Sequence, residues 1–141
     1  MQTGNWQSWA LASAFFAGLT AILAKFGVRE MDSNLATFVR TIVILVLAGS
    51  IVTWQGTLKS LPKLDARSIT FLILSGLATG ASWLCYFHAL KIGPASRVAP
   101  IDKLSVVFVL ILAAIFLGES LTWKGVLGIA LMVGGAILVA W

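Results

Sequence analysis

Charge is scarce in this chain: ten Lys and Arg and five Asp and Glu make up 11% of its 141 residues, where soluble domains carry about 25%. So few charges exclude a water-facing surface of ordinary size. Cysteine is nearly missing, and a lone Cys85 excludes an intramolecular disulfide and a cysteine-built metal site. It reads as a small packing residue. The single histidine, His88, excludes a multi-histidine metal site within one chain, so no metal and no cofactor are expected. Met1 to Trp6 holds no Lys or Arg. The basic segment that opens a secretory signal peptide is therefore lacking, and the first apolar stretch is expected to stay in the mature protein.

What fills the chain instead is apolar: 60% hydrophobic residues and a mean hydropathy of +1.00. Uncharged runs cover residues 1–24, 41–58, 68–90, 104–118 and 125–141. Each is long enough, or nearly so, to cross a hydrocarbon core of about 30 Å as a helix rising about 1.5 Å per residue. The expectation is an all-α integral membrane protein. A single transmembrane domain spans 1–141, with helices near 9–28, 34–54, 67–91, 94–117 and 123–141. Asp32-Ser33-Asn34, Pro62, Gly93-Pro94 and Gly118 punctuate the connections as caps and turns do. The turns are short, so consecutive helices run antiparallel.

Let side A be the face that holds the N-terminus and side B the other. Trp6, Trp9, Trp54 and Trp123 fall at side A and Trp141 at side B, where amphipathic rings prefer the interface; Trp83 lies inside the third helix. The net charge of +5 and pI of about 9.9 come from residues spread over loops. They point to membrane flanks rather than to a nucleic-acid partner. Lys59, Lys63, Arg67 and Lys124 face side A; Lys25, Arg29, Lys91 and Arg97 face side B. Orientation follows the Lys/Arg bias between faces, and here the bias vanishes unless Arg40 and Lys103 are counted. Such a chain is expected to insert both ways.

Four stretches then stand out together: Ala-Gly-Leu-Thr-Ala-Ile-Leu-Ala-Lys-Phe-Gly at 17–27, Arg40, Ala-Leu-Lys-Ile-Gly-Pro-Ala-Ser-Arg-Val-Ala-Pro-Ile at 89–101, and Phe-Leu-Gly-Glu-Ser-Leu-Thr at 116–122 before a glycine-rich last helix. This pattern resembles the EamA-type branch of the drug/metabolite transporter superfamily, in its short five-helix form. The resemblance implies half of an inverted-repeat, ten-helix transporter fold. Inverted repeats hold substrate near the bilayer midplane between their halves, and one half alone has no second wall. Two copies in opposite orientations supply it, and an odd helix count makes those orientations inverted images. The implied protein is a multi-pass transporter of the cell (inner or plasma) membrane that exports a small polar metabolite as an antiparallel homodimer. Its partners are the lipid bilayer, a second copy and the small-molecule substrate. The alternative is an accessory half-subunit that needs a different partner chain.

Charged side chains at a helix centre cost about 2.5–3.5 kcal/mol on insertion scales, so they are functional candidates. Lys25, Arg40, Asp102 and Lys103 qualify, and His88 is borderline. All lie toward side B. Lys25 shares a face with Ala14, Gly18 and Ala21 and either lines a cavity or snorkels to the headgroups. Arg40, about two turns into its helix, reads as a cavity residue or as half of a structural ion pair. Asp102 and Lys103 are adjacent and point about 100° apart on a helix. If the helix starts at Pro94, Pro100 breaks its ladder inside the membrane and Asp102 is buried there; if it starts at Pro100, Asp102 is a first-turn carboxylate. Held in the membrane, Asp102 is expected to pair with Arg40 or Lys25.

Trp83 and Tyr86 share a stripe with Thr79 and Leu90, beside a Gly76/Gly80 pair; the stripe is either a substrate wall or helix packing. Gly125, Gly128, Gly134 and Gly135 make the last helix a packing helix. Lys25, Arg40, Trp83, Tyr86, Asp102 and Lys103 are thus the substrate-binding or pathway candidates. His88, Asp102 and Ser82, Ser96 or Ser105 form no nucleophile motif, so an enzyme is not expected. The small multidrug resistance relatives that this chain resembles in size use a glutamate in their first helix; helix 1 here has no acid. More positive than negative charge in the polar zone suits anionic or zwitterionic metabolites better than lipophilic cations.

Overall fold

The computed structural model describes residues 6–141; the first five residues of the expected 1–141 domain lie outside it. Every regular element among the described residues is helical: α1 (Trp6–Gly27), α2 (Ser33–Trp54), α3 (Ala66–Ile92), α4 (Ala95–Asp102), α5 (Ser105–Leu112) and α6 (Trp123–Ala140). A 3₁₀ segment, Thr57–Lys63, follows α2, and a π turn, Ala113–Leu117, closes α5. With that turn, α4 and α5 make one span, Ala95–Leu117, so five stretches are long and apolar enough to cross a membrane. The chain is an all-α, five-span membrane protein. Its first span is helical from Trp6, the first described residue, and its fourth is interrupted.

Helices are the form in which one segment satisfies its own backbone polar groups in lipid, and polar residues inside the spans obey the same constraint. Thr37, Thr41, Ser50, Thr53, Thr70 and Thr79 each donate a hydroxyl to the carbonyl four residues back, at 2.7–2.9 Å. Capping groups fix where the helices begin. Asp32, with extended backbone, accepts from Asn34 N at 2.8 Å and Leu35 N at 3.2 Å, which removes orphan donors of α2. Thr122 accepts from Gly125 N at 3.2 Å at the start of α6. Gly118 ends the fourth span at φ 66°, a left-handed conformation that costs a residue with a Cβ roughly 1–2 kcal/mol.

The chain divides into two compact units, Met1–Leu23 with Ile92–Trp141, and Ala24–Lys91. In the first, α4 packs on α6. In the second, Val28, Ser33, Ala36, Thr37, Phe87 and Leu90 are buried; they come from the α1–α2 turn, the start of α2 and the end of α3. Two lysines tie those ends together: Lys25 Nζ donates to Leu90 O at 2.6 Å and Lys91 Nζ to Met31 O at 3.0 Å. Most large apolar side chains point outward, Leu45 at 70%, Phe116 at 77% and Leu138 at 83% exposure among them. Of the residues in each span's most apolar window, between 0 and 11% are buried. A Cβ placed on Gly76, Gly80, Gly128, Gly134 or Gly135 would meet nothing within 4 Å, so these glycines present open faces rather than close helix contacts among the described residues.

The Asp32 cap has a pH signature. Hydrogen bonds from the N–H groups of Leu35 and then Asn34 hold its carboxyl below the ordinary range. A carboxyl lowered by folding stabilises the folded state above its unfolded pKa, and the contribution is lost as pH falls through the folded value. Asp32→Ala should therefore lower the thermal midpoint in detergent at neutral pH, and the difference from the parent should close on acidification below about pH 4, the ordinary Asp value. A pH-independent difference would assign the effect to something other than the carboxylate.

Candidate substrate site in the spans

The second unit contributes a cation set on aromatic rings. Arg40 lies on α2 about 10 Å along the axis from Ser33. Its guanidinium carbon sits 4.0 Å from the ring centroid of Trp83 and 5.4 Å from that of Phe87. Those rings come from α3 at i and i+4, hence one face of the helix, and Tyr86 meets Phe87 edge-on at 6.5 Å between centroids. A desolvated cation–π contact is worth about 2 kcal/mol or more. The unit's carboxylates, Glu30, Asp32 and Asp65, all lie outside α2 and α3. Within this unit the described partners of Arg40 are the Trp83 and Phe87 rings and the Tyr86 phenol, which acts on it electrostatically; none is a carboxylate.

Lys25 takes a role that neither reading of the sequence named. Its ammonium donates to Leu90 O at 2.6 Å, in the last turn of α3, where carbonyls lack intrahelical donors. A cation there also meets the negative end of the helix dipole. Lys91 makes the converse link to the α1–α2 turn.

The first unit contributes a broken helix with an ion pair on the break. α4 starts at Ala95 with Pro94 as its cap and contains Pro100, so the start at Pro94 is the one adopted. Pro100 has no N–H to offer the carbonyl of Ser96. Beyond it the ladder tightens: Lys103 N is shared between Ala99 O at 3.3 Å and Pro100 O at 3.2 Å. Leu104 N reaches Ile101 O at 2.9 Å, and Val106 N reaches Lys103 O at 3.1 Å. Lys103 caps that helix in right-handed helical conformation, and its long side chain reaches back across the separation. Lys103 Nζ meets Asp102 Oδ2 at 3.4 Å, with the two side chains 60% and 37% exposed. The carboxylate expected to pair with Arg40 or Lys25 thus has its described ion pair with Lys103. Discontinuous helices are where transporters of the inverted-repeat kind place substrate and ion sites.

A cavity of about 190 Å³ also occurs in this unit, lined by Val106, Leu110, Ala113 and Ile129 with Glu119 and Ser120 as its polar members. Its wall is mostly apolar, which fits a polar solute poorly. The Arg40 and Asp102 zones remain the candidates.

Comparison with known proteins agrees with this architecture. The model of the EamA-like transporter family matches residues 4–141. The chain belongs to that family. A Sinorhizobium sp protein described as an uncharacterized transporter in the cobO 3′ region is 52% identical over 136 residues, 96% of each chain. An uncharacterized protein of Methanocaldococcus jannaschii is 29% identical over 130 residues, 92% of each. No solved structure matches. This EamA chain is therefore a multi-pass membrane transporter, and it aligns over nearly the whole length of those relatives. Phe87 and the carbonyls of Leu90 and Met31 were missed in the sequence. Phe87 had a signal, its i+4 spacing from Trp83; the carbonyls had none, since any residue supplies one.

Lys25→Met removes a charge-assisted hydrogen bond and should destabilise the protein by about 1.5–3 kcal/mol, read as a lower thermal midpoint in detergent. An unchanged midpoint would return Lys25 to a snorkelling role.

Proposed function

We propose that this EamA-family chain is a secondary transporter of a small polar metabolite, anionic or zwitterionic, in the cell (inner or plasma) membrane. Lys25, Arg40, Trp83, Tyr86, Asp102 and Lys103 contribute to its pathway, and an antiparallel homodimer closes the central cavity. The observation that carries the reading is Arg40. A guanidinium is held inside an apolar span by ring faces, in a unit whose α2 and α3 carry no carboxylate, and so is left for a solute of opposite charge. Membrane-embedded cations of this kind mark substrate pathways. Four loop positives facing four support insertion in both orientations, and the open glycine faces of α3 and α6 leave room for another helix. The accessory half-subunit differs in one respect: it transports only with a different partner chain.

Proteoliposomes containing this chain alone, assayed with a metabolite panel with and without a proton gradient, should accumulate an anionic or zwitterionic solute. Silence alone and activity with a second half would favour the accessory reading. C-terminal tags should be detected on both faces of the membrane, and two lysines added to one face should bias orientation and reduce transport. Exclusive detection on one face would rule out dual insertion.

Gly128→Leu and Gly134→Leu test assembly separately. Because neither position has a neighbour for a new side chain to strike, the monomer should fold with an unchanged helical spectrum, while dimer recovery in mild detergent falls. Normal assembly with lost solute binding would move α6 into the pathway.

A further inference from the structure

The electrostatics around Arg40 narrow the solute. The Arg40 guanidinium carbon lies over the Trp83 ring, 4.0 Å from its centroid. A contact made through the guanidinium face leaves the edge, where all five N–H donors lie in one plane; the Tyr86 phenol also acts on Arg40 electrostatically, but it is no carboxylate. The neighbouring groups already have partners of their own. Thr37 and Thr41, on the same helix, donate to the carbonyls of Ser33 and Thr37. Lys25 and Lys91 donate to Leu90 O and Met31 O. Arg29 lies over Phe26 in the turn, and Lys59 and Arg67 belong to the opposite ends of α2 and α3. One cationic edge, planar and without an acid of its own, matches one planar anion.

Resting on the transporter reading above, we propose that Arg40 is the anion-recognising residue of the pathway. It takes the carboxylate of a monoanionic or zwitterionic solute by two parallel N–H···O bonds, with Trp83 as the positioning residue that holds the guanidinium plane. A carboxylate is planar and carries a single negative charge, matching the fork in shape and count. A phosphate monoester carries about −1.5 to −2 and calls for a second cation. Lysine has charge without the fork, so the assignment separates shape from charge.

The test is side-chain chemistry rather than transport. Phenylglyoxal modifies accessible guanidinium edges, and peptide mass spectrometry reads Arg29, Arg40, Arg67 and Arg97 separately in the full chain in uncharged detergent. At constant ionic strength, N-acetylglycine at about ten times its Kd should slow labelling of Arg40 about tenfold by mass action and leave the other three unchanged. Its neutral amide, N-acetylglycinamide, and methylammonium should not protect. Trp83→Leu should raise the concentration needed for protection while Arg40 still labels, a change that a merely structural ring would not produce in a folded variant. Arg40→Lys should remove carboxylate-induced thermal stabilisation although the charge remains.

Protection by inorganic phosphate but not by N-acetylglycine would overturn the carboxylate assignment. Protection only by phosphatidylserine added to the micelle would place a lipid headgroup on Arg40 and overturn the solute. Arg40 that never labels, that labels regardless of carboxylate, or that is protected only in parallel with the other three arginines would overturn the site. Failure of the transporter reading looks different: Arg40 is selectively protected, yet proteoliposomes move no solute. Transport of an anionic or zwitterionic solute with Arg40 unprotected would keep that reading and sink this one.

Discussion

Between 0 and 11% of the residues in the apolar windows of the five spans are buried, so each helix carries a largely apolar surface that has to be kept from water. In water such a surface would associate without limit; in a bilayer the hydrocarbon covers most of it. The same constraint sets what the polar residues do. Hydroxyls fold back on carbonyls four residues earlier, lysines at the ends of α1 and α3 bind carbonyls, and the starts of α2 and α6 are capped by side chains. Each is a way of leaving no polar group facing lipid unpaired.

Two features stand apart from this pattern of satisfied groups. Arg40 keeps a charge inside a span beside aromatic rings and the Tyr86 phenol, with no carboxylate on α2 or α3. The fourth span gives up its regular ladder at Pro100 and ends its first half on Asp102, with Lys103 beside it. Both carry a cost in an apolar medium, a few kcal/mol for an embedded charge and about 3 kcal/mol for an interior proline. A protein whose only task was to fill the bilayer would have no use for either. In a transporter family they are the places where solute or ion contacts belong.

The spans were legible in the sequence because hydrophobic runs of bilayer length leave few other structures open. Gly118 and Asp32 were legible because caps and left-handed turns have residue preferences. The interruption of the fourth span was legible at Pro100 as one of two alternatives, whereas the π turn at Ala113–Leu117 has no letter that announces it. Trp83 and Arg40 were each singled out, but their meeting depends on how α2 and α3 are rotated against one another, which spacing along one helix does not fix. Phe87 escaped because the stripe was drawn through Tyr86. The acceptors of Lys25 and Lys91 are backbone carbonyls, and a carbonyl is the same at every position.

The claim that a second, inverted copy closes the pathway is tested most directly by cross-linking between copies. With the native thiol removed by Cys85→Ser, one tagged chain carries Thr57→Cys, in the segment after α2, and a second, differently tagged chain carries Gly93→Cys, in the turn before α4. These positions lie on opposite faces of the membrane in any one chain. When the two chains are co-expressed and treated with a short membrane-impermeant bis-maleimide, antiparallel assembly predicts the heterotypic 57–93 product. Exclusively homotypic 57–57 and 93–93 products would show parallel copies and contradict it.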